Sequence, residues 1–156
     1  MENLDLIDIK LLKLLQENSR LTTKELATAV GLSISPVYER VKRLENDGYI
    51  EKYVALLNPD KIRLGLTAYI AVKLTKQSNE FATKFIGVVQ EIPEVTECYS
   101  MAGSFDFLLK VFAPDMNYYR THVLEMLGSM DCVGNIVTTF VMSEVKHTTE
   151  LPLRQL

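Results

Sequence analysis

Arg40, Lys42 and Arg43 place three cations within one turn of an expected helix, beside side chains that exchange hydrogen bonds: Ser35, Tyr38, Glu39 and Asn46. That mixture suits the edge of a nucleic acid. Lysine and arginine can meet phosphates or guanine edges, glutamate can accept from cytosine, and serine can reach base or phosphate. Val37, Val41 and Leu44 recur at i, i+4, i+7 and must face a core. The polar residues therefore fall on the opposite side, with Arg40 at the edge. The same face can instead be a solvated surface, with Glu39 and Arg43 as an i,i+4 ion pair worth roughly 0.2–0.5 kcal/mol.

The segment that positions these residues, TTKELATAVGLSISPVYERVKRLENDG at 22–48, reads as two helices around a tight turn. Thr22 and Glu25 have capping-box spacing, and Leu21 and Leu26 stand where a hydrophobic staple would form. Gly31 supplies a left-handed C-cap, Ser33 can cap the next helix with Pro36 in its first turn, and Gly48 ends it. This is the form of a helix-turn-helix, which lays its second helix in the major groove of double-stranded DNA. The expected DNA-binding residues are Ser33, Ser35, Pro36, Tyr38, Glu39, Arg40, Lys42 and Arg43. An earlier helix, residues 4–15, carries an apolar stripe of Leu4, Ile7, Leu11, Leu12, Leu14 and Leu15. Leu6 and Ile9 fall off that stripe, which suggests contact outside the domain, with a second subunit. After Gly48, YIEKYVALL reads as a wing-like strand or a hinge. Residues 1–53 form the expected DNA-binding domain and 54–65 the linker.

Composition narrows the class. A chain of 156 residues, 47% apolar and 24% charged, suits one ordinary globular domain or two small ones. No apolar run spans a membrane, and the acidic start MENLDLID is unlike a signal, so the cytoplasm is the expected compartment. Cys98 and Cys132 are isolated and read as packing residues or unpaired thiols. His122 and His147 lack partners at metal-ligand or catalytic spacing, so no metal, cofactor or catalytic residue is expected. The net charge is −3, and residues 1–53 hold eight Lys/Arg against nine Asp/Glu. Non-specific DNA affinity should be modest and salt-sensitive, and useful affinity must come from joining several modules.

From Leu66 the pattern alternates strand and helix in the order β-α-β-β-α-β, the split arrangement of a ferredoxin-like domain over 66–156. The fold class is thus α+β. Ser78 and Asp115 cap the two helices, and Gly103-Ser104 turns between the middle strands. There Gly103 can supply a positive φ and Asp106 can cap the turn. Helices cover only one face of such a sheet. Tyr69, Phe107, Phe140 and Met142 offer apolar material for the other, and a second copy covering it gives a two-fold homodimer.

These features together resemble the Lrp/AsnC family, the leucine-responsive or feast/famine transcriptional regulators. The resemblance rests on LDLIDIKLLKLLQENSRLTTKELATAVGLS, SPVYERVKRLENDGYI, the linker ALLNP, the turn MAGSFDFLLKV and the closing FVMSEVK, in that order. It implies a winged-helix-like DNA-binding domain followed by a ligand-sensing domain called RAM. It further implies homodimers that assemble to octamers, and a small-molecule effector, usually an amino acid, bound in a cleft where dimers meet. By the same resemblance Met101, Ala102, Gly103, Ser104, Phe105 and Asp106 line that cleft, with Asn135, Ile136, Thr138 and Thr139 nearby. Met101, Phe105 and Ile136 favour an apolar effector side chain. Backbone N–H groups of the turn would hold an α-carboxylate, and Asp106 would accept from an α-ammonium.

Two alternatives stand beside this. The architecture also resembles subunits of sirohaem decarboxylases, a reading that calls for histidines or a haem-facing pocket. The helical module could instead bind protein, as an assembly factor. Near the C-terminus, Leu151-Pro152-Leu153 can tuck onto a neighbouring subunit or fray.

Overall fold

Asp5 and Asp8 begin the first helix of the computed structural model, which describes residues 4–153; residues 1–3 and 154–156, the outer ends of the two expected domains, lie outside the described residues. Two compact units emerge, Met1–Leu56 with Lys146–Leu156, and Leu57–Val145.

In the helical unit, α1 spans Leu6–Glu17, α2 Thr23–Val30 and α3 Ile34–Asn46. The Asp8 amide donates to the Asp5 carboxylate at 2.8 Å and the Asp5 amide donates to Asp8 at 3.2 Å, a reciprocal capping box. Thr22 and Glu25 form the second box, with the Thr22 amide 2.7 Å from Glu25 Oε2 and the Glu25 amide 3.3 Å from Thr22 Oγ1. Gly31 ends α2 at φ 73°, where a Cβ would be strained, and the Leu32 amide reaches back to the Ala27 carbonyl at 3.1 Å. Ser33 occupies the N-cap position of α3, but its hydroxyl makes no capping bond.

Leu11, Val37 and Leu44 are fully buried at the centre of this unit, joined by Leu12, Leu15 and Leu26. Burying each such side chain contributes roughly 1.5–3 kcal/mol. Leu6 is exposed, whereas Ile9, the other off-stripe residue, is buried. No wing forms: residues 51–58 hold no helix or strand, and one 3-10 turn, Asp60–Ile62, follows. The described part of the tail, up to Leu153, meets the helical unit of its own chain. The Leu151 amide donates to Gln16 Oε1 at 2.6 Å, Gln16 Nε2 returns a bond to the Leu151 carbonyl at 3.2 Å, and Leu153 packs on the helical core.

In the other unit, strands β1 (Leu66–Leu74), β2 (Val95–Ser100), β3 (Phe107–Ala113) and β4 (Val133–Phe140) form one antiparallel sheet in the order β2-β3-β1-β4. Helix α4 is Asn79–Val89. Helix α5 covers 116–128, beginning as α-helix at Met116–Tyr118, widening to a π-helix over Tyr119–Leu124 and closing as α-helix at Glu125–Gly128. The strand and helix order is ferredoxin-like. Alternation sends Ile70, Val72, Leu109 and Val111 to the buried side, with Phe85, Val123 and Leu127 from the helices.

The apolar material on the other face differs from expectation. Phe107 is buried, its ring centroid 4.7 Å from that of Phe85, and Phe140 stands edge-on to Tyr119 at 5.3 Å, so both belong to the helix-covered core. Met142 lies beyond the sheet. Tyr69 does face outward, and the register places Leu108, Phe112 and Val137 beside it. Lys110 lies among them, 3.2 Å from Glu97 Oε1 and 5.4 Å from the Phe112 ring centroid.

Candidate nucleic-acid interface and effector turn

One side of α3 is closed by Val37 and Leu44, both fully buried. On the other, Ser35, Tyr38, Glu39, Lys42 and Asn46 are exposed, as are Ser33 and Pro36 at the start of the helix. The Lys42 ammonium lies 5.9 Å from the Tyr38 ring centroid, so the ring and the cation form one patch. With no side-chain cap at Ser33, the positive end of the α3 dipole is open to an anion.

Arg40 and Arg43 lie on the shoulder of the helix and turn toward α1. Arg40 Nη1 stands 2.6 Å from Asp5 Oδ2 and 2.8 Å from Asp8 Oδ1, and Arg43 Nη2 is 2.5 Å from Asp8 Oδ2. Asp8 itself is only 1% exposed. Hydrogen bonds to Asp8, then Asp5, push the Arg40 pKa up. The Asp8 amide, followed by Arg40, holds Asp5 below the usual carboxylate range. A signal for this cluster existed in the sequence. Leu4, Asp8, Leu11 and Leu15 share one helical face, and an acid on a core stripe requires a cation.

The 101–106 turn is closed by the Met101 amide donating to the Asp106 carbonyl at 2.8 Å. Gly103 adopts φ 154°, inside the region that favours glycine. Met101, Ala102, Gly103 and Ser104 are exposed, while Phe105 and Asp106 are half-buried. Asp106 ties the turn to the end of β1. Its amide donates to the Val72 carbonyl at 2.9 Å, while its carboxylate accepts from the Leu74 amide at 2.8 Å and from Gln77 Nε2 at 3.1 Å. Asn135 and Ile136 pair with Lys73 and Val72, so the opening of β4 reaches that same end of β1. Further along, alternation divides the other two. Thr138 faces the core, its hydroxyl 2.5 Å from that of Tyr119, and Thr139 faces outward opposite Tyr69.

Two clefts lie elsewhere, neither foreseen from the sequence. One of about 340 Å3 is lined by Leu57, Pro59, Ile62 and Leu64 with Pro93, Glu94, Thr96 and Phe112. The other, of about 600 Å3, lies in the helical unit between the end of α1, residues 49–56 and the tail. Cys98 is exposed and Cys132 buried, and neither forms a disulfide. His122 stacks on Tyr118 with ring centroids 4.0 Å apart. Among the described residues no three His, Cys, Asp or Glu gather as metal ligands, and no helix is long and apolar enough to cross a membrane.

Residues 4–51 match a winged helix-turn-helix DNA-binding model, and residues 67–151 match the Lrp/AsnC ligand binding domain. The chain is 42% identical over 150 residues to the DNA-binding transcriptional activator DecR of Escherichia coli (strain K12), covering 96% of this chain and 99% of the relative. It is 38% identical over 153 residues to the leucine-responsive regulatory protein of the same strain, covering 98% and 93%. Among solved structures, a transcriptional regulator from Neisseria meningitidis in complex with L-Met superimposes with a TM-score of 0.92 at 43% identity, covering 96% of this chain and 97% of that one. An AsnC family transcriptional regulator from Agrobacterium tumefaciens gives 0.90 at 38%, with the same coverage.

Proposed function

The chain belongs to the Lrp/AsnC family, and we propose that it is a sequence-specific DNA-binding transcriptional regulator whose assembly or DNA affinity responds to an amino acid. The observation that carries the DNA role is the division of α3. Its apolar side is sealed by Val37 and Leu44, while Ser33, Ser35, Tyr38, Glu39 and Lys42 stand exposed on one surface. Such a surface supplies both donors and acceptors to base edges, and the uncapped start of the helix offers amides and dipole to a phosphate. Pro36 adds no N–H there but presets the helical φ. The protein acts as a regulator rather than an enzyme, a reading supported by relatives whose names are those of regulators.

The amino-acid response is assigned to the 101–106 turn with Asn135 and Ile136, which approach one end of β1. Exposed Met101 and half-buried Phe105 suit an apolar side chain, and the L-Met complex of the Neisseria relative supports that preference, whereas Ile136 packs against the helix-covered core and would act from beneath. Because both Asp106 carboxylate oxygens already accept bonds, amides of the turn are better placed than Asp106 to hold the ligand's charged end. Thr138 and Thr139, on opposite faces, would serve different subunits or different layers of the site.

Dimerisation through the outward sheet face, with Tyr69, Leu108, Phe112 and Val137 at its centre, would pair two recognition helices about one DNA turn, or a multiple of it, apart. Assembly to octamers would let more helices engage one stretch of DNA, offsetting the acidic net charge. The cytoplasm is where such a regulator meets DNA. The test is binding to duplexes from the promoters of its own and neighbouring genes, with and without amino-acid pools, for the wild type and Lys42→Ala. Sequence-dependent binding weakened by the substitution and altered by one pool is the expected result. Indifference to sequence at low salt would overturn the DNA role, and indifference to every pool would overturn the sensing role.

A further inference from the structure

We infer that Asp8 withholds Arg40 and Arg43 from the DNA backbone and so sets the ratio of specific to non-specific binding, although it touches no DNA itself. This rests on the DNA-binding reading above and deepens it. Three cations crowd one turn of α3, yet the fold treats them differently. Lys42 is exposed, beside the Tyr38 ring. Arg40 and Arg43 are turned away to a carboxylate that is 1% exposed, while their own side chains are 28% and 39% exposed. Both arginines are thus close enough to the surface to feel a phosphate but already paired.

Moving either arginine to DNA would strip a buried carboxylate of one of its two cationic partners, and moving both would leave an uncompensated buried charge, among the costliest states in a protein. Asp5 adds a second anchor, since Arg40 Nη1 lies within hydrogen-bond reach of both carboxylates. Phosphate contacts made by cations are indifferent to sequence, whereas hydrogen bonds to base edges are not. A helix that silences two of three clustered cations therefore lowers its hold on arbitrary DNA more than its hold on a chosen site. The charge balance of residues 1–53, eight Lys/Arg against nine Asp/Glu, points the same way.

Asp8 is accordingly a positioning residue, and the salt dependence of binding distinguishes this role from a merely structural one. The experiment measures affinity for two duplexes, one selected by the wild-type chain from a random pool and one of random sequence. It compares the wild type, Asp8→Asn and Arg43→Gln, each checked for folding by circular dichroism. Between about 50 and 200 mM salt, each arginine released to a phosphate by Asp8→Asn should enlarge the loss of affinity about 3.5-fold. The preference for the selected duplex should shrink with it, while Arg43→Gln should leave the salt dependence of the wild type unchanged. A folded Asp8→Asn protein with wild-type salt dependence and preference would overturn the inference. So would a shallower salt dependence in Arg43→Gln, which would mean that Arg43 already meets a phosphate; this variant decides alone if Asp8→Asn does not fold. Failure of the wild type to select any duplex would overturn the DNA-binding reading itself, before any variant is compared.

Discussion

Asp8 and Arg43 stand 35 positions apart in sequence and meet at 2.5 Å, joining the first turn of α1 to the last turn of α3. The contact fixes the orientation of the exposed α3 surface relative to the rest of the helical unit. Asp8→Ala removes the buried acceptor that Arg40 and Arg43 share, while Arg40 keeps Asp5 and both side chains stay partly exposed. The expected cost is about 1.5–3 kcal/mol, as for losing a hydrogen bond to a charged group. Urea denaturation monitored by circular dichroism measures it, and a loss near zero would mean that the carboxylate contributes nothing net to folding.

Stability should fall in acid, and the sign follows from three groups. Asp5 is held below its ordinary value of 3.8 chiefly by the Asp8 amide, and Asp131 chiefly by its hydrogen bond from Lys84. Glu25 is held below 4.5 by the Thr22 amide and hydroxyl. A carboxylate whose folded pKa is depressed contributes stability that is fully present above its unfolded value and lost as pH falls through the folded one. Thermal melts should therefore be flat from neutrality to just above 4.5 with respect to these groups, then decline. Thr22→Ala should shallow the acid decline, because it removes a hydroxyl that favours ionised Glu25. An unchanged profile in that variant would show that the Thr22 hydroxyl adds no pH dependence beyond the amide.

How much of this was legible in the sequence depended on distance along the chain. The Thr22–Glu25 box and the Gly31 cap involve residues at most a few positions apart, so their spacing announced them. The pairing of Asp8 with Arg40 and Arg43 needed the tertiary fold, although an acid on the α1 core stripe was a visible sign. Phe107 and Phe140 show a different limit. Two-residue alternation identifies a strand with two faces but does not say which face the helices will cover. The π segment of α5 had no sequence mark at all, though Thr121, whose hydroxyl donates to the Asn117 carbonyl at 3.0 Å, competes there with the regular ladder.

Asp106 offers a way to separate scaffold from sensor. Asp106→Ala leaves the Leu74 amide without its acceptor and should cost about 1–3 kcal/mol. Asp106→Asn keeps an oxygen for that amide and should fold with a melting temperature close to that of the wild type. If the carboxylate charge serves only the turn, the asparagine variant will retain the full amino-acid response in DNA binding. A lost response in a stable protein would instead place the charge in the effector site.

Val137 is 44% exposed on the outward face of β4, opposite Ala71 and near Tyr69, which is 37% exposed. A charge at that point would be desolvated in any face-to-face dimer. Val137→Asp should leave each chain folded and shift the mass measured by light scattering toward the monomer. An unaltered mass would locate the subunit contact elsewhere on the chain.

Lys42 and Glu39 should fail in different ways, because one offers a charge to the backbone and the other an acceptor to a base. Lys42→Ala removes a phosphate contact, so affinity should drop by similar factors for every duplex, and the slope of log affinity against log salt should shallow by about 0.9 per module. Glu39→Gln keeps the size of the side chain and alters what it can accept. Its effect should concentrate at one base pair, relaxing the preference there by about 1–3 kcal/mol while the salt slope stays put. Selection from randomised duplexes, followed by salt titration of the winners, reads both quantities on the same proteins. If Glu39→Gln changed only the salt slope, Glu39 would be repelling phosphates rather than reading a base, and sequence recognition would pass to Ser35 and Tyr38, the exposed polar neighbours on the same surface.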